Sequence, residues 1–135
     1  MTNDTNSNQK TILIIDDIPD AAGVLPRILT NAGFKVRIAE DGKTGIQMVE
    51  KMSPDLILLD IMMPEMDGFE VCQQLKSQEK TRDIPIIFLT ALVDSLDKAK
   101  GFELGAVDYI TKPFQGEQVI ACVNAHLSNR KECDG

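Results

Sequence analysis

Three aspartates stand at the ends of two short apolar runs, where buried strands would end. Asp16 and Asp17 follow TILII, and Asp60 closes the run DLILLD. In open α/β sheets, ligands bind beyond the carboxyl ends of the strands. Carboxylates crowded there raise one another's proton affinity or recruit a cation, and ligands that are all oxygen suit a hard ion such as Mg2+. If the two strands are neighbours, the pattern predicts a divalent metal site.

Two further polar residues follow later apolar runs at corresponding positions. Thr90 closes IPIIFLT, and Lys112 lies in YITKPF, just after the fifth run. Taken singly, each would most often be an ordinary strand threonine or a solvated surface lysine. Beside a metal and several carboxylates, a hydroxyl and an ammonium would instead complete a site for a polyanion.

Five apolar runs of strand length alternate with five helix-length segments in which apolar residues recur three and four positions apart. Strands are predicted at 11–16, 35–39, 55–60, 84–90 and 106–110, and helices at 19–32, 43–52, 67–77, 94–104 and 116–128. Continuous apolar strands in this alternation predict a parallel sheet with helices on both faces, an α/β fold. We expect one domain at 11–128, a disordered N-terminal tail at 1–10 and a C-terminal tail at 129–135.

The predicted helix ends carry residues that commonly stop or start helices. The expected C-caps are Gly33 and Gly105, and the expected N-caps are Asp41 and Asp67. One segment breaks the pattern, because Gly23 and Pro26 fall inside the first predicted helix. A proline there removes a backbone donor and clashes with the preceding turn, so we expect this helix to be kinked or weak.

Composition limits the classes of partner and of site. With 21 acidic against 14 basic residues, the net charge of -7 argues against binding to nucleic acid or to an anionic membrane. The first ten residues are polar and no apolar run reaches the roughly 20 residues that span a bilayer, which favours a cytoplasmic protein. Three cysteines without a CxxC pair favour neither a disulfide framework nor a zinc site, and the sole histidine, His126, is assigned no role.

Four motifs, DD, LLDIMMPEMDG, FLTA and DYITKPF, resemble the receiver domain of two-component response regulators, the family of the bacterial chemotaxis regulator. The resemblance covers residues 11–128 and implies a flavodoxin-like, doubly wound, five-stranded parallel sheet of order 2-1-3-4-5 with five helices. It also implies that Asp60 accepts a phosphoryl group from a phosphohistidine on a partner. Mg2+ would be bound by Asp17 and Asp60, by the backbone carbonyl of Met62, and by Asp16 largely through water.

The same resemblance assigns roles around the phosphoryl group. Lys112 and the Thr90 hydroxyl would contact its oxygens, and Tyr109 would swing inward when Thr90 is drawn toward Asp60. Pro113 is a cis-proline candidate that would hold Lys112 inward, although cis bonds make up only about 5 to 6% of X-Pro bonds. The protein would be a signalling phosphoacceptor that catalyses only its own phosphorylation and dephosphorylation.

The lifetime of the phosphoryl group depends on two positions in this family. They are two residues after Asp60 and two after Thr90, where side chains influence the access of hydrolytic water; here they are Met62 and Leu92. Because neither side chain can orient a water molecule, we expect slow autodephosphorylation.

Partners are also implied by the resemblance. The donor would be a sensor histidine kinase or a phosphotransfer protein, and a downstream target would dock on the fourth helix, fifth strand and fifth helix, a face that could also support a phosphorylation-promoted homodimer. The residues expected on this face are Leu96, Phe102, Tyr109 and Val119. Since only NRKECDG follows the last predicted helix, we expect no effector domain in this chain, which is then a single-domain regulator or a receiver excised from a longer protein.

Three other functions share parts of the pattern. A dinucleotide-binding oxidoreductase would need G-x-G-x-x-G after the first strand, where this chain has DDIPDAAG, whose acids would repel a pyrophosphate. A metal-dependent aspartyl phosphatase would need a second acid two residues after Asp60, where Met62 stands. The third alternative, a receiver-like interaction domain that is never phosphorylated, is retained because a fold and its site do not establish that the protein is phosphorylated.

Overall fold

The structure is a computed structural model that describes residues 9–17, 23–63, 65–90, 95–112 and 114–134, with the side chains of 95–98 and 128–134 excepted. The described residues form five strands: β1 (Thr11–Ile15), β2 (Lys35–Ala39), β3 (Leu56–Asp60), β4 (Ile86–Thr90) and β5 (Asp108–Thr111). They alternate with five helices: α1 (Val24–Asn31), α2 (Gly42–Met52), α3 (Gly68–Lys76), α4 (Ser95–Leu104) and α5 (Gly116–Asp134).

The strands form one parallel sheet in the order β2-β1-β3-β4-β5. The most apolar strands, β3 and β4, are buried at every position, whereas the edge strand β2 exposes most of its residues. Burial on both faces explains why β3 and β4 read as continuous apolar runs. The predicted α/β class, strand order and number of helices are confirmed.

The sheet separates two apolar cores because successive side chains of a strand point to opposite faces. On one face the odd-numbered residues of β1 and β3 pack against α2 and α3, with Leu13, Ile15, Val49 and Leu75 among them. On the other face, the even-numbered residues of the same strands pack against α1 and α5, with Ile12, Leu29, Leu58 and Val123 among them. The fold is therefore doubly wound, with helices on both faces.

The predicted N-caps Asp41 and Asp67 are confirmed, whereas the C-cap of α1 is Ala32 and the predicted Gly33 lies one residue beyond it. Asp41 accepts a hydrogen bond from the Thr44 N–H at 2.7 Å, and Asp67 forms a capping box with Glu70. Gly33 and Gly105 follow α1 and α4 with φ of 98° and 113°, a left-handed conformation that glycine adopts without steric cost.

The first helix differs from its predicted course. It begins at Val24, after Gly23 with φ 67°, and the Gly23 carbonyl accepts the first helical hydrogen bond from Arg27 at 2.9 Å. Pro26 therefore lies in the first turn, where a backbone N–H would have no partner within the helix, and not in the interior as predicted. Residues 18–22 of the predicted segment lie outside the described residues.

Both predicted tails also need correction. The prediction that the last helix ends near Ser128 is wrong, because α5 continues to Asp134 and the segment NRKECD contains no glycine or proline to stop it. At the other end, Gln9 donates a side-chain hydrogen bond to the Gly33 carbonyl at 3.0 Å, and the Lys10 carbonyl accepts from the Lys35 N–H at 2.9 Å. The predicted disorder of residues 1–8 lies outside the described residues.

Candidate functional site

The sheet register places the aspartates side by side. Ile15 pairs with Leu59, so the residues that follow them, Asp16 and Asp60, are neighbours at the carboxyl edge of β1 and β3. Both side chains are buried, and a carboxylate oxygen of each lies within 4.8 Å of one from Asp17. The structure thus brings together the three acids that the sequence placed at the ends of two strands.

Lys112 approaches this cluster from the far side of β4. Its backbone N–H donates to the Thr90 carbonyl at 2.9 Å, and its ammonium nitrogen lies 3.8 Å from Asp16 Oδ2 and 3.8 Å from Asp60 Oδ1. Thr90, at the end of β4, is 1% exposed and belongs to the same edge of the sheet. The predicted lysine and threonine therefore lie at the carboxyl edge that carries the aspartates.

A backbone donor fixes the orientation of the Asp60 carboxylate. The Met62 N–H donates to Asp60 Oδ1 at 3.3 Å, while the Met62 side chain is 65% exposed. Since Oδ1 faces both this N–H and the Lys112 ammonium, one carboxylate oxygen is held by positive partners. Met62 contributes to the site through its backbone N–H, and its side chain is exposed.

The charges in the site are not balanced. Burial and the negative charge of Asp16 raise the pKa of Asp60 to about 6, against the opposing attraction of Lys112. Three acids against one lysine leave an excess of negative charge that a divalent cation would neutralise. All of the side-chain ligands are carboxylate oxygens, which is the donor set that Mg2+ prefers, so the residues fit this ion.

Gly68 belongs to the site and was missed as such from the sequence, where only its neighbour Asp67 was noted as a cap. Its N–H donates to the Ile61 carbonyl at 2.9 Å, which closes the β3–α3 loop against the end of β3. A Cβ at this position would overlap the Asp60 carbonyl oxygen and would lie 2.8 Å from the Ile61 Cα. Only glycine allows the backbone of the loop to approach the backbone of Asp60 this closely.

The predicted switch residue, Tyr109, is half-buried in an aromatic cluster. Its ring centroid lies 5.5 Å from that of Phe88 and 5.2 Å from that of Phe102. A Cβ built on Gly101 would overlap the Tyr109 hydroxyl, so the ring occupies space that this glycine leaves open. The observed position of Tyr109 therefore depends on the absence of a side chain at residue 101.

The residues expected on the partner face differ in exposure. Phe102 is 48% exposed, in agreement with the prediction, but Val119 is fully buried in the core between α5 and the sheet. The prediction for Val119 is wrong because helical spacing does not reveal which side of α5 faces the sheet. The Leu96 side chain, Leu92 and Pro113 lie outside the described residues, so the cis-proline prediction stays untested.

A second group of polar side chains was not anticipated. Asp108 Oδ2 accepts from Cys122 Sγ at 3.3 Å and lies 2.9 Å from His126 Nε2. Burial raises the pKa of Asp108, but the hydrogen bonds from His126, the Tyr109 N–H and Cys122 outweigh this effect and lower it overall. The available signal was the four-residue spacing of Cys122 and His126, which places both on one face of a helix.

Comparisons with known proteins converge on one family. The sequence model of the response regulator receiver domain family matches residues 12–124. The DNA-binding dual master transcriptional regulator RpaA of Synechocystis is 48% identical over 116 residues, which are 86% of this chain and 48% of that protein. The chain thus spans about half the length of this relative.

Solved structures agree with the sequence comparisons. A CheY-like response regulator receiver domain protein from Methanospirillum hungatei has a TM-score of 0.86 at 25% identity, covering 95% of this chain and 100% of that one. The signal receiver domain of a histidine kinase from Syntrophus aciditrophicus has a TM-score of 0.80 at 38% identity, covering 89% and 91% of the two chains.

Within the described part of the chain, no helix has the length and apolar character needed to cross a bilayer.

Proposed function

The chain belongs to the family of response regulator receiver domains of two-component systems, and we propose that it accepts a phosphoryl group on Asp60. The observation that carries this proposal is the position of Asp60, buried at the end of β3 with Asp16, Asp17 and Lys112 around its carboxylate. The donor would be a sensor histidine kinase or a phosphotransfer protein carrying phosphohistidine. A carboxylate oxygen of Asp60 attacks phosphorus, the new O–P bond forms, and the N–P bond of the donor breaks.

The residues around Asp60 supply what phosphoryl transfer requires of a protein, namely positioning and charge neutralisation. The Met62 N–H would orient the attacking carboxylate, and Lys112 and Thr90, at the same edge of the sheet, would contact the phosphoryl oxygens. Mg2+, held by Asp17, Asp60 and the Met62 carbonyl and through water by Asp16, would neutralise charge on those oxygens. In this role, the protein catalyses only its own phosphorylation and its slow dephosphorylation.

The output is proposed to pass through Thr90 and Tyr109. A doubly charged group on Asp60 attracts the Thr90 hydroxyl, which vacates space beside α4, and the Tyr109 ring moves further inward. The exposed Phe102 and the half-buried Tyr109 lie on the surface formed by α4, β5 and α5, which we assign as the face for a protein target or a second copy.

No direct contact with nucleic acid or membrane is proposed for this acidic domain, and we place it in the cytoplasm.

Intact-mass spectrometry after incubation with acetyl phosphate tests the proposal. We expect one Mg2+-dependent phosphoryl adduct on the wild type and none on Asp60→Asn. Asp83→Asn is the matched control, because Asp83 is an exposed acid that precedes β4 and so lies toward the opposite edge of the sheet. An adduct that persists in Asp60→Asn, or a wild type that stays unmodified by both acetyl phosphate and a phosphorylated histidine kinase, would rule out Asp60 as the acceptor.

A further inference from the structure

Three side chains with different metal-binding atoms converge between β5 and α5. They are Asp108 from the start of β5 and Cys122 and His126 from two successive turns of α5. A carboxylate oxygen, the thiol sulfur and a ring nitrogen all lie within 4.8 Å of one another. Oxygen, sulfur and nitrogen are the three ligand atoms found in protein zinc sites.

Two of the three separations between the ligand atoms are close to those that a tetrahedral ion imposes. With metal–ligand bonds of about 2.0 to 2.3 Å, ligand atoms in a tetrahedral zinc site are roughly 3.3 to 3.6 Å apart. Asp108 Oδ2 lies 3.3 Å from Cys122 Sγ and 2.9 Å from His126 Nε2. The third pair, Cys122 Sγ and His126 Nε2, lies within 4.8 Å, and one ion would replace the hydrogen-bonding protons if the His126 ring moved outward from Asp108.

The carboxylate is also held in the orientation that ligation requires. Asp108 Oδ1 accepts a hydrogen bond from the Tyr109 N–H at 2.8 Å, which directs the other oxygen, Oδ2, toward α5. Outer-shell hydrogen bonds of this kind orient the ligands in known metal sites. On the helix, the four-residue spacing puts Cys122 and His126 on one face without any change of backbone.

We propose that Asp108, Cys122 and His126 form a site for a thiophilic divalent transition metal, with Zn2+ as the expected occupant and water as the fourth ligand. The thiolate and imidazole favour Zn2+ over Mg2+, so this site is chemically distinct from the carboxylate cluster at Asp60. The Asp108 side chain is 45% exposed, which leaves room for a water ligand and a path of entry for the ion. Binding displaces the Cys122 thiol proton to solvent, and the bound ion is neutralised by one thiolate and one carboxylate.

An ion here would link the last strand to the last helix. The linkage lies next to Tyr109, because the backbone N–H of that residue holds the Asp108 carboxylate. Binding to the folded state alone raises its stability and restrains the motion of α5 against β5. The site itself does not depend on the phosphoacceptor role of Asp60.

Cobalt and zinc titrations of tag-free, reduced protein in excess Mg2+ test the proposal. For the wild type we expect a thiolate-to-cobalt charge-transfer band, its loss when one equivalent of Zn2+ is added, and a Zn2+-dependent rise in melting temperature. Cys122→Ser should abolish the band and weaken Zn2+ binding on the order of 100-fold, and Asp108→Asn and His126→Gln should each weaken it strongly. Circular dichroism identifies any variant that fails to fold.

Two control variants separate this site from other ligands in the chain. Cys133→Ser removes another thiol of α5, and Asp60→Asn removes the central acid of the carboxylate cluster, so both should keep the band and the zinc affinity. A folded wild type with no charge-transfer band and no zinc-dependent stabilisation would overturn the proposal. So would a band that survives Cys122→Ser and disappears in Cys133→Ser. Because the Asp60→Asn variant is titrated independently, failure of phosphorylation and failure of zinc binding are distinguishable.

Discussion

The ammonium nitrogen of Lys112 lies 3.8 Å from Oδ1 of Asp60, although Lys112 follows β5 and β4 lies between β5 and β3, the strand that ends at Asp60. The lysine side chain therefore reaches across the end of a strand to the carboxylate. Its distance from Asp16 Oδ2 is also 3.8 Å, so one ammonium is shared between two buried acids. This arrangement places the only cation of the described site where negative charge is concentrated.

Removal of this ammonium should slow phosphorylation more than it affects folding. For Lys112→Met we expect a loss of roughly 10- to 100-fold in the rate of phosphorylation by acetyl phosphate, or about 1.4 to 2.7 kcal/mol of transition-state stabilisation. Intact-mass time courses at saturating Mg2+ measure this rate. Lys80→Met is the matched control because Lys80 is exposed on the segment after α3. Equal rates in the two variants would contradict the role of Lys112.

The metal-free protein should be destabilised by ionisation of Asp60. Burial and the charge of Asp16 raise the pKa of this residue to about 6, above its ordinary value of 3.8. The folded state therefore gains stability at low pH, and this gain is lost as pH rises through the folded pKa. Asp60→Asn should exceed the wild type in free energy of unfolding by about 1 to 3 kcal/mol at pH 7.5, and by less at pH 5.

Urea denaturation in EDTA at several pH values between 5 and 7.5 measures this difference. Asp83→Asn, which changes an exposed acid, should show no comparable dependence. If the advantage of Asp60→Asn stays constant over this range or grows toward low pH, the raised pKa of Asp60 is incorrect.

Any side chain at residue 68 should disturb the backbone of Asp60. Gly68→Ala places a Cβ against the Asp60 carbonyl and the Ile61 Cα, and both are backbone atoms that cannot move independently. We expect a loss of about 1 to 3 kcal/mol in the free energy of unfolding, together with slower phosphorylation. Gly116→Ala is the matched control, since its Cβ would make ordinary contacts of 3.8 Å or more with Ile28. If Gly68→Ala unfolds with the same free energy as Gly116→Ala and is phosphorylated at the same rate, the close approach of residue 68 to the Asp60 backbone is refuted.

Tyrosine fluorescence reports on Tyr109 alone, because the chain has one tyrosine and no tryptophan. We expect phosphorylation to reduce quenching of Tyr109 by acrylamide as the ring moves inward. Gly101→Ala should increase quenching without phosphorylation, since the added Cβ overlaps the present position of the hydroxyl. Quenching that does not change in either experiment would indicate a static aromatic residue.

The Met62 side chain should prolong the life of the phosphoryl group. It is 65% exposed, two residues after Asp60, and has no group that can orient water. For Met62→Asn we expect autodephosphorylation faster by roughly 3- to 30-fold, or about 0.7 to 2 kcal/mol in the barrier. Decay of the intact-mass adduct after removal of acetyl phosphate measures the rate, and Met62→Leu should match the wild type. A slower or unchanged rate in Met62→Asn would exclude water access as the limiting factor.

Features that depend on local sequence could be predicted. The apolar runs of β3 and β4 identified buried parallel strands, and the acids and the threonine that close these runs had to lie at one edge of the sheet. Asp41 and Asp67 were recognisable as caps because capping involves residues only three positions away. The motifs around Asp60 and Lys112 then indicated the family, which supplied the strand order.

Features that depend on packing between distant segments were decided by the tertiary structure alone. Helical spacing could not tell that Val119 faces the sheet, and no local signal revealed that Gly68 and Gly101 leave space for Asp60 and Tyr109. Likewise, Cys122 and His126 are 14 and 18 positions from Asp108 in the sequence. The three residues meet only because α5 folds back over β5. Periodicity shows that a helix has a buried face, but the orientation of that face and its contacts follow from docking against the sheet.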